Sequence, residues 1–178
     1  MLKLAKKRDI NEVTDDCLND LSPKKVLDLG IGNGRCSKRF LQKGSVITGI
    51  DLENPNILGI NFIEKDITNF DIKENYDLII ASFVLHFLNL DISKKIVEKM
   101  KESTEFKGYN FILTMNKKDD SFKAKKDNFF LNGEDLKELY FDWDIIKIGD
   151  FETDFEEHGG LKPHKHNVSF ILARKVSR

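Results

Sequence analysis

A chain of 178 residues with 40% hydrophobic and 33% charged residues, three prolines and eleven glycines is long enough to bury a real core and too apolar for a disordered, mucin-like or collagen-like chain. Its 29 Lys and Arg nearly balance 30 Asp and Glu, a net charge of -1, so bulk charge gives nucleic-acid binding no support. Two cysteines, Cys17 and Cys36, without CxxC or Cys/His zinc spacing make no disulfide framework and suit a reducing cytoplasm. No stretch approaches the roughly 18 apolar residues of a membrane span, and no apolar signal region follows the basic Lys3, Lys6, Lys7 and Arg8, a cluster expected to be solvated surface.

In chain order, Asp9 with Glu12 three residues on predicts a capped helix whose Ile10, Val13, Cys17, Leu18 and Leu21 share a face, closed by Pro23. Lys24 to Leu29 reads as a short buried strand, followed by a glycine turn and a helix through about Gly44. Strands are predicted from Ser45 to Ile50, running out on Asp51, from Ile60 to Glu64, running out on Asp66, and from Tyr76 to Ala81. A short helical turn over Phe83 to Leu88 precedes a capped helix from Asp91, with Ile92, Ile96, Val97 and Met100 on one side. Gly108 to Met115 gives a fifth strand, Asn132 caps a helix carrying Leu136, Leu139 and Tyr140, and Asp144 to Phe151 and Asn167 to Ala173 close the chain as strands. The polar run 116–127 (NKKDDSFKAKKD) reads as a loop that could serve as a lid.

Strands alternating with helices predict an α/β, Rossmann-like, seven-stranded and mostly parallel sheet with helices on both faces. The last two strands have no helix between them, so the final one is expected to be antiparallel. A single domain over residues 1–178 is expected, with residues 1–22 an N-terminal helix and residues 23–178 the Rossmann-like core.

The strongest chemical signal is Val26-Leu27-Asp28-Leu29-Gly30-Ile31-Gly32-Asn33-Gly34-Arg35. Glycines at alternate positions let a backbone approach a ligand where a Cβ would collide. The GxGxG spacing is tighter than the GxGxxG of a pyrophosphate-binding turn and suits a ligand without phosphate. Asp51, about twenty residues on, can accept both hydroxyl hydrogens of a ribose from the end of the second strand; capping a turn is the alternative. Asp66 could accept from an adenine amino group with Leu52 and Ile67 as apolar faces, or cap its own loop.

These residues in this order, with Tyr76-Asp77-Leu78-Ile79-Ile80-Ala81, resemble the class I S-adenosylmethionine-dependent methyltransferases along nearly the whole chain. More narrowly, LDLGIGNGRCSKRF, DLIIASFVLHFL, FLNGEDLKELYFDWDIIK and the closing ILARK resemble the tellurite-resistance methyltransferase family. The resemblance implies S-adenosylmethionine as cofactor. Gly30, Gly32 and Gly34 would line its methionine and ribose parts, with Asp28 and Asn33 in the same turn; Asp51 would take the ribose hydroxyls, Asp66 and Ile67 the adenine, and Ser82 a place beside the sulfonium. Where the family carries a Leu-His-Arg turn near its end, this chain has Gly159-Gly160-Leu161-Lys162-Pro163-His164-Lys165-His166.

A sulfonium methyl is already activated, so transfer needs mainly positioning and exclusion of water, and a base only where the acceptor must lose a proton. His86 is a candidate acid/base group or a packing residue. His164 and His166 are candidates for catalysis, and with Glu157 and His158 they form a pattern that could hold a divalent metal, which the chemistry does not require. Arg35 could hold an oxyanion substrate or pair with surface acids. Phe83, with Phe87, Phe129, Phe130 and Phe155, could wall an apolar acceptor pocket or pack in the core. The reading that follows is methyl transfer to a small-molecule acceptor, such as a thiol or chalcogen anion, by a cytoplasmic monomer or homodimer without nucleic-acid or membrane partners. Alternatives are a protein or RNA methyltransferase docking through its lysine-rich stretches, and a cofactor- or metal-binding module without turnover.

Overall fold

The computed structural model describes residues 6–154 and 164–177. Its centre is one sheet of order β1-β7-β8-β6-β5-β2-β3-β4. The strands are β1 (Lys6–Lys7), β2 (Lys25–Leu29), β3 (Val46–Asp51), β4 (Asn61–Glu64), β5 (Tyr76–Ser82), β6 (Thr104–Met115), β7 (Asp144–Glu152) and β8 (Asn167–Arg174). All neighbours pair in parallel except β8, which runs antiparallel to both β6 and β7. The seven strands expected from the apolar runs are present, and the sheet gains the two-residue β1 at its edge.

That edge strand uses the backbone of the basic N-terminus while the Lys7 side chain stays exposed. Lys6 and Lys7 pair with Phe151 and Glu152, and the Arg8 guanidinium binds Glu12 at 2.9 Å and also Asp16. Lys3 lies outside the described residues.

Central strands are apolar on both faces because both are covered. Leu27, Leu29, Ile79, Ala81, Ile112 and Ile171 face a layer formed by α2 (Leu90–Glu102), α3 (Gly133–Leu139), Tyr140 and Trp143. The alternate residues Val26, Leu78, Ile80, Phe111, Leu113 and Leu172 face α1 (Ile10–Leu18) and Phe40. A period of two on the strands thus feeds two separate apolar layers. Local chemistry sets the helix starts: Asp9 Oδ1 accepts from the Asn11 and Glu12 amides, and Asn132 and Asp135 form a reciprocal capping box. The cap of α2 is Asn89, which accepts from Asp91 N at 2.9 Å, two residues ahead of the expected start.

Two elements depart from expectation. After the glycine turn the chain forms a 3-10 helix over Lys38–Lys43 in place of an α-helix. Gly34 at φ 72° and Gly44 at φ 78° bracket the segment, which closes with Phe40 N to Ser37 O (2.9 Å) and Gly44 N to Leu41 O (3.0 Å). Strand β6 begins at Thr104, ahead of Gly108, because a register shift lets the chain bulge between Thr104 and Tyr109. Lys107 there has φ 67°, and a Cβ on Gly108 would lie 2.9 Å from the Asp77 and Glu105 carbonyls. The polar 116–127 run carries a 3-10 helix over Asp120–Ala124.

Candidate functional site

Chain order reverses around β2: the chain moves from β2 outward through β3 and β4, then returns to place β5 on the other side of β2. Parallel α/β sheets open a crevice at such a point, beyond the carboxyl ends of the strands. Here the crevice is a cavity of about 560 Å³ lined from the ends of β2, β3, β4 and β5, within the range of small-molecule sites.

The glycine turn forms one wall and is tied to β3. Gly30 N and Ile31 N donate to Ile50 O at 2.8 and 3.0 Å, and Gly32 N donates to Asp51 Oδ2 at 2.8 Å. Gly30 has no alternative: its φ is 68°, and a Cβ would meet Val84 Cγ2 at 2.5 Å. Gly34 departs from its expected place. It does not line the cavity, and it is glycine because φ is 72° and a Cβ would fall 2.8 Å from Ile57 Cδ1.

Asp28, Gly30, Gly32, Asn33, Asp51, Leu52, Asp66, Ile67 and Ser82 all line the cavity, together with Arg35 and Phe83. Asp28 is 2% exposed, and burial pushes its carboxyl up to about 7, opposed by the adjacent Ser37 hydroxyl and reinforced by Asp51. Its Oδ2 is buried without a hydrogen-bond partner. Asp51 accepts with one oxygen from Gly32 N of the glycine turn and with the other, at 2.8 Å, from Leu52 N; each oxygen keeps a second lone pair for a ligand hydroxyl. Asp66 Oδ1 accepts from Thr68 N and Oγ1, both at 2.8 Å, and these bonds hold its carboxyl below the usual range. Asp66 thus caps the turn over Ile67–Asn69 and also lines the cavity.

Arg35 crosses the mouth of β5. Its Nη2 donates to Ser82 Oγ at 3.2 Å, and its guanidinium lies 5.4 Å from the Phe83 ring centre. Phe83 holds φ 52° while its N–H bonds Leu113 O at 2.7 Å. A left-handed phenylalanine costs about 1–2 kcal/mol, and its place is on the cavity wall, where such strain concentrates. Sequence reasoning passed over Ile31, Cys36, Lys65, Val84 and Leu88, which complete the lining with Phe87. Lys65 and Val84 each follow or precede a residue already singled out, so their register at the strand ends carried the signal. Phe129 and Phe130 are 0% and 1% exposed, core residues that do not line the cavity, and Phe155 lies outside the described residues.

The histidines stand apart from this lining. His86 is 2% exposed, with ring centres of Phe87, Phe130 and Phe83 at 4.2, 5.9 and 6.0 Å. Burial, then the Lys125 charge, pushes its imidazole down to about 4. His164 and His166 stack edge to face at 4.8 Å, and His166 Nδ1 lies 3.0 Å from Asp119 Oδ2. Burial alone would push Asp119 up, but bonds from His166, Ser121 and the Asn167 amide outweigh it and hold the carboxylate well below its usual range. Among the described residues no group of three or more His, Cys, Asp or Glu is placed to hold a metal ion. Glu157 and His158 lie outside the described residues, and no described helix is long and apolar enough to cross a membrane.

The sheet order, the antiparallel β8 and a glycine-walled cavity at the reversal point define the fold of the class I S-adenosylmethionine-dependent methyltransferases. The same fold is seen in the N-methyltransferase NodS from Bradyrhizobium japonicum, solved in complex with S-adenosyl-l-homocysteine, with a TM-score of 0.70 at 13% identity over 93% of this chain and 85% of that one. Within that class, the chain belongs to the tellurite resistance protein TehB family, whose model matches residues 4–161. It is 33% identical to the probable S-adenosyl-L-methionine-dependent methyltransferase TehB of Haemophilus influenzae over 90% of this chain and 60% of that protein. The crystal structure of TehB from Haemophilus influenzae superposes with a TM-score of 0.76 and 28% identity, covering 92% of this chain and 62% of the other. The chain thus spans about 60% of the length of that relative.

Proposed function

We propose that this chain is an S-adenosylmethionine-dependent methyltransferase that methylates a small molecule by in-line transfer. The observation that carries the proposal is the buried Asp28 carboxyl, whose Oδ2 has no hydrogen-bond partner at the wall of the cavity. Leaving such a group unsatisfied costs about 1–3 kcal/mol, a cost that an amino-acid ammonium would remove while returning the carboxyl to its charged form. The cofactor carries such an ammonium on its methionine part, and its ribose and adenine meet groups of matching chemistry in Asp51, Asp66, Leu52 and Ile67. The residues present therefore fit it.

Once bound, the sulfonium supplies an electrophilic methyl group and a neutral leaving group. The protein contributes position and dryness. Asp28 would hold the ammonium, Gly30, Gly32 and Asn33 would let the ligand lie against the backbone, and Asp51 would accept from the ribose hydroxyls. Leu52 and Ile67 would offer apolar contact to the adenine, Asp66 would accept from its amino group, and Ser82 would stand on the side of the sulfonium. On the acceptor side, Arg35 is the guanidinium of the cavity, pre-oriented by Ser82 and Phe83. A cation held there favours an acceptor that arrives as an anion, such as a thiolate or chalcogen anion, and such an acceptor needs no base.

The Asp119–His166 pair, whose carboxylate fixes the imidazole through Nδ1, lies outside the cavity lining and is assigned no proton transfer. His86, neutral at pH 7 from its lowered pKa, acts as a packing residue of the turn, and His164 supports His166. Calorimetric titration with S-adenosylhomocysteine tests the proposal. Wild-type binding weakened about tenfold by Asp51→Ala, equal to about 1.4 kcal/mol, supports it. No binding to folded protein sinks it. Methyl transfer from labelled cofactor to a thiol panel then tests the acceptor class.

A further inference from the structure

A second cavity, of about 370 Å³, lies on the α2 side of the sheet. Its body is apolar: Leu29 at the end of β2, Ile67, Phe70 and Ile72 from the segment after β4, and Ile92 and Ile96 from α2. The polar part of its lining is Thr68, Asn69 and, one helical turn apart on α2, Lys95 and Lys99. Ile92 is 42% exposed although it sits on the apolar side of its helix, so this face of α2 is only partly covered by the protein's own chain. Lys99 Nζ lies 3.8 Å from Asp71 Oδ1, with the two side chains 48% and 70% exposed. A surface pair of that kind is worth at most about 1 kcal/mol and leaves the ammonium open to a stronger partner.

We infer that this cavity binds one molecule of a small amphipathic anion, an alkyl or aryl carboxylate, with its apolar body against Ile67, Phe70 and Ile96 and its carboxylate between Lys95 and Lys99. The charge at the rim selects the head group. A neutral apolar ligand would gain nothing from Lys95 and Lys99, and a cationic one would compete with them for Asp71.

The two cavities share a wall. Ile67 lines both, Leu29 directly precedes Gly30 of the glycine turn, and Thr68 of the second cavity donates twice to Asp66 of the first. Filling the second cavity packs the far side of Ile67 and fixes the turn that carries Asp66. A ligand there therefore pre-organises the adenine end of the first cavity, and the coupling must be reciprocal. The expected effect is about fivefold tighter S-adenosylhomocysteine binding, the lower end of ordinary allosteric coupling.

The probe is decanoate below its micelle concentration, with decyltrimethylammonium as the matched cation. Titration calorimetry should show one decanoate per chain, loss of at least tenfold in affinity in the Lys95→Glu/Lys99→Glu double variant, and no measurable binding of the cation. Ile92→Trp, at a partly exposed position, should occlude the cavity and abolish decanoate binding while the melting transition stays cooperative. Equal binding of both amphiphiles, or undiminished decanoate binding in the double variant, overturns the inference. Retention of the protein on anionic vesicles without binding of monomeric decanoate overturns it too, in favour of a lipid surface. Binding of decanoate does not depend on the cofactor proposal: if S-adenosylhomocysteine fails to bind and decanoate binds, only that proposal falls.

Discussion

Replacing Asp28 by Asn removes a charge while keeping the shape of the side chain, so it isolates the electrostatics of the cavity wall. The carboxyl titrates near 3.8 when free and is pushed to about 7 in the folded chain. Between these values the native protein holds a proton that the unfolded chain has released, so this group's contribution to stability is fully present below about pH 4 and is lost as pH rises through 7. At about 1.4 kcal/mol per pH unit the loss reaches about 4 kcal/mol at pH 8. The amide of the Asp28→Asn variant never ionises and escapes it. In the absence of ligand, the gap in melting temperature between variant and wild type should be smallest near pH 3 and should widen on the order of 10 °C in the variant's favour by pH 8, at about 2–4 °C per kcal/mol for a chain of this size. Calorimetric or fluorescence melts across that range give the answer directly. The cofactor reading adds a second readout: S-adenosylhomocysteine should bind the variant at least tenfold more weakly at pH 8, since a charge-assisted bond is worth about 1.5–3 kcal/mol. A melting difference that is the same at every pH refutes the burial argument. Unchanged affinity refutes the assignment of the ammonium to Asp28.

Gly30→Ala should cost about 3 kcal/mol in urea unfolding, from the left-handed backbone and the 2.5 Å approach to Val84; adding Val84→Ala should recover the steric part only, and full tolerance of the single change would refute the packing argument. Asp119→Asn should destabilise the protein by about 3 kcal/mol at pH 7. Because the native carboxylate is held below its ordinary range, that penalty should fade as pH drops below about 4, which acid-dependent denaturation curves would show. His86→Leu has the opposite pH signature. The unfolded imidazole gains a proton near 6.5 and the buried one only near 4, so native stability falls as pH drops from 6.5 toward 4. Leucine should be more favourable at pH 5 than at pH 8 by about 2 kcal/mol, and an equal effect at both would place His86 in contact with water.

Much of the scaffold was legible because its signals are local. Apolar runs marked seven of the strands, Asp9 and Asn132 announced their helices, and the Asp28 to Gly34 turn with Asp51 and Asp66 announced a crevice at strand ends. Each depends only on side-chain spacing and short-range backbone chemistry. The same locality misled at residues 35–44, where a helical composition gave a 3-10 helix between Gly34 and Gly44, both left-handed. Phe129 and Phe130 went to the core, since an aromatic residue reads the same whether it walls a pocket or packs a layer.

What only the tertiary structure decided is non-local. The pairing of Lys6 and Lys7 with Phe151 and Glu152, the meeting of Asp119 with His166 and the stacking of Arg35 on Phe83 join segments whose separation leaves no periodic trace in the chain. The sequence by itself determined which strands end in acids, and hence the kind of cavity the protein must have. Which of those acids is stripped of water is a matter of what packs around it. Asp28 is buried beneath the glycine turn and is pushed up to about 7; the cause is desolvation, a property of the assembled layers and of no residue alone.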